Sequence, residues 1–414
     1  MNKSKLYKAI GIEITYNIST FDISYQQKKK SLLKSKLFLN KKVKKKFIIN
    51  NIRCGDLISD TYLRFFRKVK IINDDTSKYH LSQIFQYIYR FENFFKKKFK
   101  DYNLLLPIQA SFISNGYPVR YFLNKNKYVI GGWNFSQYIK KFTKTDFLHH
   151  CKWEDYQNIF SKLDAKRNKL TLAHKYMNKR FSGGVDKTNY YMKKGTYTKL
   201  NQIDQKYLIQ ENKKIDCIIF LPCFVDSPFA FGDIVFNDGY NWIIETLEFL
   251  KKKKLHVIIK EHPNSLPASI NFVKTLRSEY IKDFVWIDKD TPNNYLFSLK
   301  PKVCISMTGN VLIEVAYHNS VPISAGRNPF CCYDFVVTPK TKKEYFKKIE
   351  LALKSKLILS KKKDKILECF YIHYLNNNDF NNCENYSRKY KLNNFMRKFL
   401  NSSKILEELN TKIS

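Results

Sequence analysis

The chain is short of acid, glycine and proline. Asp and Glu number 36 against 75 Lys and Arg, a formal net charge of +39, and 414 residues hold only 12 Gly and 11 Pro. No run of about 18 uncharged apolar residues occurs, which excludes an ordinary membrane-spanning helix. The N-terminus MNKSKLYKAIGIEITY is basic but has no apolar core and no small-residue cleavage site, so no secretory signal is expected. There is no Cys-x-x-Cys, and no Cys/His set has zinc spacing. Nine scattered cysteines, with Cys331–Cys332 the only close pair, fit reduced thiols in a cytoplasmic protein.

What the chain does have is apolar mass. Hydrophobic residues make up 44% and aromatics 16%, which excludes a disordered chain. The length suits two or three domains of ~150 residues. The charge has two readings. Lys, Asn, Ile, Tyr and Phe are the residues an AT-rich genome favours, and the Lys runs are scattered (Lys28–Lys30, Lys44–Lys46, Lys96–Lys98, Lys251–Lys254, Lys361–Lys363). Arg, the preferred reader of bases and phosphates, is sparse beside Lys. A solvated surface is therefore expected, with no nucleic-acid partner. Attraction to anionic lipid or anionic substrates fits either reading.

The first half is irregular. Tyr7 to Ile18 is β-prone, and KFIINNI (Lys46–Ile52) predicts a strand running into the turn Cys54-Gly55-Asp56 and a helix over 57–68. Apolar spacing predicts helices over 81–99 and 153–180, the second closed by Ser182-Gly183-Gly184, and a strand over 102–110. The polar stretch Val185–Gln210 reads as a linker. The second half is clearer. Strands are predicted over 215–224, 255–260, 284–287, 303–306 and 321–325, alternating with helices over 240–250, 269–280, 293–299 and 309–318. That alternation predicts an open parallel sheet with helices on both faces, whose ligand sits beyond the carboxyl ends of the strands.

Residues just past those ends are therefore the candidates. Lys260-Glu261-His262-Pro263 follows one strand; its His can donate to a phosphate or leaving-group oxygen, or simply pack as a loop residue. Ser306-Met307-Thr308-Gly309-Asn310 follows another and opens a helix, a combination that can cradle an anion, although Thr308 or Asn310 can equally be its cap. Glu314, one turn in, can bond a ribose diol or sit on the helix surface. Arg327 is a candidate anion clamp or a surface residue. Asp226 falls at the same rim, and Asp238 is expected to cap the next helix. In the first half, Asp56 at a strand-to-helix junction is a candidate general base or nucleophile, or simply the helix N-cap; Asp60 is read as half of an ion pair with Arg64. Lys179-Arg180-Phe181 is a further contact point or a plain helix end.

In this order, Asp226-Ser-Pro, Asp238…Trp242, Lys260-Glu-His262-Pro263, Ser306-Met-Thr308-Gly309-Asn310…Glu314 and Val321-Pro322…Gly326-Arg327 resemble the capsule polysaccharide biosynthesis family, which includes bacterial Kdo transferases. More loosely they resemble sialyltransferase-like enzymes with an His-Pro and a Ser/Thr motif. The match covers about Cys217 to Phe330, and Cys54–Arg64 is similar to an N-terminal piece. Two departures stand out: Ser-Met-Thr replaces paired hydroxyls, and the sialyltransferases' acidic motif has only a partial echo in Asn237-Asp238-Gly239.

The resemblance implies an α/β fold of GT-B type, two Rossmann-like domains facing a cleft. Residues 1–210 would form the acceptor-side domain, 211–360 the nucleotide-sugar domain, and 361–414 a helical segment packing back on the first. It assigns phosphate contacts to His262, Pro263, Ser306 and Thr308, donor binding to Glu314, and the catalytic carboxylate to Asp56. The expectation is a cytoplasmic, metal-independent glycosyltransferase with no cofactor beyond its nucleotide-sugar donor, a CMP-sugar such as CMP-Kdo favoured. The acceptor would be a surface polysaccharide or a glycolipid, with basic runs such as Lys251–Lys254 near an anionic membrane surface. The rivals are an epimerase-like sugar-nucleotide enzyme of the same fold and a basic nucleic-acid-binding protein.

Overall fold

The computed structural model describes residues 18, 21–107, 109–131, 140–148, 150, 153–181, 214–357, 359 and 363–376. The expectations for 7–17, for Ser182-Gly183-Gly184, for Val185–Gln210 and for 377–414 lie outside them. The chain forms two compact units: Met1–Phe66 with Ile71–Cys151 and Asn377–Ser414, and Arg67–Lys70 with Lys152–Asn376. The boundary expected at 210 thus falls near 151.

In the first unit, helices Tyr25–Asn40, Gly55–Phe65, Asp75–Lys98 and Tyr117–Asn124 enclose an aromatic core that includes Phe38, Phe85, Phe91, Phe95 and Tyr121. Both long helices are capped. Gln27 N donates to Ser24 Oγ at 3.2 Å while Ser24 N donates back to Gln27 Oε1, and Ser77 N donates to Asp74 Oδ1 at 2.7 Å. The run read as one strand is instead a hairpin of β1 (Ile48–Ile49) and β2 (Ile52–Arg53). Asn50 and Asn51 take φ of 48° and 63°, the two left-handed positions a two-residue turn needs, and Asn tolerates them. The strand expected over 102–110 shrinks to β3 (Leu104–Leu105), which pairs parallel with β4 (Tyr128–Gly131); β5 (Lys140–Lys141) adds antiparallel. Among the described residues this unit holds no larger sheet, so the expectation of two Rossmann-like domains is met by the second unit alone.

That unit is built on β6 (Cys217–Phe220), β7 (Val257–Lys260), β8 (Val285–Ile287), β9 (Val303–Ser306) and β10 (Val321–Ser324), all parallel, in the order β10-β9-β6-β7-β8. By sequence rank this is 5-4-1-2-3, the doubly wound order. Alternation along each strand feeds two cores. Cys217, Ile219, Val257, Ile259, Val303 and Ile305 pack with Trp242, Leu247, Val273, Leu276, Tyr345 and Ile349, from helices Gly239–Lys252, Pro267–Tyr280 and Lys342–Leu353. Ile218, Phe220, Ile258 and Cys304 pack with Leu296, Phe297 and Val315, from helices Asn293–Ser298 and Val311–Tyr317. Strands buried on both faces read as unbroken apolar runs, which is why this half was legible.

The single helix expected over 153–180 is broken into a turn at Trp153–Asp155 and helices Tyr156–Ser161 and Lys166–Phe181, with Ala165 at φ 47° in the break. Helix Lys166–Phe181 packs on helix Lys363–Phe370 and the turn Tyr371–Leu375, and helix Lys363–Phe370 in turn packs on helix Val311–Tyr317. The described part of the C-terminal segment therefore belongs to the parallel-sheet unit, and it packs on a helix that lies within the 1–210 range expected for the N-terminal domain.

Candidate functional site

The order in which strands are added reverses between β6 and β9, and ligands of open α/β sheets sit at the carboxyl ends of such a pair. On the β9 side, Ser306 and Thr308 are buried. Ser306 Oγ accepts from Gly309 N at 3.2 Å, and a Cβ on Gly309 would lie 2.7 Å from that oxygen. A side chain at 309 would therefore displace the Ser306 hydroxyl from this turn. The residue at the cap position of helix Val311–Tyr317 is Asn310, and its side chain makes no capping bond. That helix has seven residues and the Gly309 N–H is already taken, so the expected anion cradle is weaker than its sequence suggests. Ser324 Oγ fixes the next loop, lying 2.7 Å from Gly326 O and 3.0 Å from Met307 O, with its one proton shared between these two acceptors.

On the other flank of β6 is His262, just past β7. Its Nδ1 accepts from Asn264 N at 3.1 Å, which assigns the ring proton to Nε2. Burial, together with the Lys260 charge, lowers its pKa to about 4 against an opposing pull from Asp226. The ring is therefore neutral at neutral pH and offers Nε2–H as a hydrogen-bond donor. Glu261 is half-buried beside Arg277 at 3.7 Å, and burial raises its pKa over that attraction. Asp226 is exposed at the rim, its Oδ1 accepting from Ser227 N at 3.0 Å. Asp238 caps its helix as expected, accepting from Asn241 N at 2.7 Å.

Beneath this edge runs a buried polar chain. Lys260 Nζ donates to Asn293 Oδ1, Asn293 Nδ2 donates to Glu314 Oε2 at 3.2 Å, and Arg180 Nε donates to Glu314 Oε1 at 2.7 Å. Glu314 was expected on a helix surface or against a ribose. It is buried, with both oxygens engaged, and it ties three elements together. Asn293 was not singled out in the sequence, although it opens the helix after the loop that follows β8, where the strand-end rule points.

Two candidates are placed differently from their expected roles. Arg327 grips Glu154 through Nε and Nη2 at 2.9 and 2.8 Å, donates to Phe231 O, and covers the Trp153 ring at 4.5 Å. The anion it clamps is the chain's own. Asp56 is not the helix cap; Cys54 holds that position. Arg120 Nη1 and Nη2 meet the two Asp56 oxygens at 2.6 and 2.5 Å, and both side chains are buried. Burial pushes the Asp56 carboxyl up, but Arg120, by charge and hydrogen bonds, and Arg53 hold it below the usual range. Such a carboxylate is a weak base and a strong anchor. Asp60 is buried on the same helix.

Among the described residues no group of three or more His, Cys, Asp or Glu converges as a metal site, and no helix is long and apolar enough to cross a membrane. Comparison with protein-family models, curated proteins and solved structures finds no match.

Proposed function

We propose that the chain is a glycosyltransferase of GT-B type whose parallel-sheet unit binds the nucleotide of an activated sugar, a CMP-sugar such as CMP-Kdo favoured. The acceptor is a surface polysaccharide or a lipid-linked glycan. One observation carries the reading: the doubly wound sheet has Ser306 and Thr308 on one side of its reversal point and a neutral His262 on the other. The resemblance of these same segments to the capsule polysaccharide biosynthesis family adds the reaction class.

In this reading the donor phosphate lies against His262 Nε2–H and the Ser306–Asn310 turn. Departure of the nucleotide leaves negative charge on phosphate, and a fixed hydrogen-bond donor stabilises it without the desolvation cost of a buried cation. The Lys260–Asn293–Glu314–Arg180 chain supports the strand end that carries His262. Asp56 takes no chemical part.

The test is thermal unfolding with CMP, UDP, GDP and a single-stranded oligonucleotide at low and moderate salt. A ligand at ~100 times its Kd stabilises by about 2.7 kcal/mol. Salt-tolerant stabilisation by CMP, lost in His262→Ala, is the expected result. Stabilisation by UDP or GDP keeps the fold reading and changes the donor, and donor turnover without acceptor indicates a sugar-nucleotide isomerase. Stabilisation by the oligonucleotide alone, vanishing with salt, overturns the enzyme reading.

A further inference from the structure

Helix Tyr25–Asn40 buries two serines and exposes three of its four leucines. Ser31 and Ser35 are buried, with Phe38 and Leu39, on the side that meets helix Asp75–Lys98. The buried hydroxyls are satisfied locally, Ser31 Oγ donating to Gln27 O and Ser35 Oγ to Leu32 O. Outward lie Leu33 and Leu37, one turn apart and 57% and 50% exposed, flanked by Leu32 and Tyr25. Ile48 in the following hairpin is 57% exposed. Exposed lysines are interleaved with them: Lys29, Lys30 and Lys36 on the helix, Lys41 and Lys42 after it.

The charge is one-sided. Of the 29 residues Tyr25–Arg53, eleven are Lys or Arg and none is Asp or Glu. At the chain's own ratio of 36 acids to 75 bases, eleven bases would bring about five acids. Genome bias toward Lys explains the bases; it does not explain the missing acids or the outward leucines.

We propose that this face docks the protein on an anionic lipid surface. Leu33 and Leu37 enter the boundary between headgroups and acyl chains, and the lysines, with long apolar stems and charged tips, reach the lipid phosphates. A second copy of the chain is disfavoured as occupant, because the same cationic faces would repel. A nucleic acid is disfavoured because the segment holds one Arg and its exposed apolar groups are aliphatic apart from Tyr25, whereas bases stack on aromatics and Arg. The surface stands independently of the transferase reading.

Co-sedimentation of the full chain tests it, using vesicles of phosphatidylcholine alone or with about one-third phosphatidylglycerol. Binding is expected only to the anionic vesicles. The pair Leu33→Ser and Leu37→Ser weakens it about ten-fold or more, while retention on a heparin column and the unfolding temperature stay unchanged. The set Lys29→Glu, Lys30→Glu and Lys36→Glu abolishes binding, and the same reversals at exposed Lys282, Lys343 and Lys347 of the parallel-sheet unit reduce it far less. Three outcomes overturn the proposal: the leucine pair binds vesicles like the parent, the reversals in the parallel-sheet unit cost as much as the helix reversals, or the helix lysines retain RNA while vesicles stay unbound.

Discussion

Arg180 Nε donates to Glu314 Oε1 at 2.7 Å, joining residues 134 positions apart within the parallel-sheet unit. The contact brings the end of helix Lys166–Phe181 to the first turn of the helix that follows β9, and Asn293 extends it to Lys260.

Breaking a buried pair by removing one partner leaves an uncompensated charge. Glu314→Ala is therefore expected to destabilise the protein by about 3–5 kcal/mol, and Arg180→Met by less, since the Arg side chain is partly exposed. Urea unfolding measures both. An unchanged midpoint in Glu314→Ala, with weakened nucleotide binding, would return Glu314 to the role of donor ligand.

Asp56 and Arg120 invite the parallel test in the first unit. The Asp56 carboxyl has a lowered pKa when folded, so its contribution is fully present above the ordinary carboxylate pKa and is lost as pH falls through the folded value. Asp56→Asn should cost about 3–5 kcal/mol at pH 7 and converge with the parent in strong acid. Denaturant unfolding from pH 7 to pH 2 reads this directly. A variant that folds like the parent at pH 7 yet has lost sugar transfer would make Asp56 the base after all.

His262 has the opposite charge type but the same direction of shift. Its folded pKa, about 4, lies below the ordinary His value, so the unfolded chain takes up this proton first. The stability it contributes is full above about pH 6.5 and declines as pH falls toward 4. His262→Gln should flatten that part of the stability profile. Titration of the ring resonances by NMR checks the origin: His262 should stay neutral down to about pH 5, and titration near 6.5 would contradict the desolvated ring.

Gly309 and Ser306 should be non-additive. Gly309→Ala places a methyl 2.7 Å from Ser306 Oγ, whereas Ser306 Cβ lies at 3.6 Å. Alanine at 309 alone should deform the turn and weaken nucleotide binding about ten-fold or more. In a Ser306→Ala background the clash is gone, so the second substitution should cost clearly less than it does alone. A double-mutant cycle in binding calorimetry reports the coupling, and simple additivity would mean the turn already has room.

Some of this was legible and some was not, for reasons visible at particular residues. The strands Cys217–Phe220, Val257–Lys260, Val303–Ser306 and Val321–Ser324 are short apolar runs between turn signals, and local pattern is enough to find them. The Asn50-Asn51 reversal was readable too, but the surrounding isoleucines masked it as one strand.

Alternating burial, cap chemistry and strand ends are local, and residues such as Asp238 and Ser24 act within three positions of themselves, so the amino-acid sequence alone determined the parallel sheet, its edge residues and the helix starts. The strand order, the partners of Arg327, Asp56 and Glu314, and the outward face of Leu33 and Leu37 depend on what packs beside each element. Those partners are 173, 64 and 134 residues away, and at such separations a charged side chain looks the same whether it awaits a ligand or already holds another part of its own chain. Only the tertiary structure decided that.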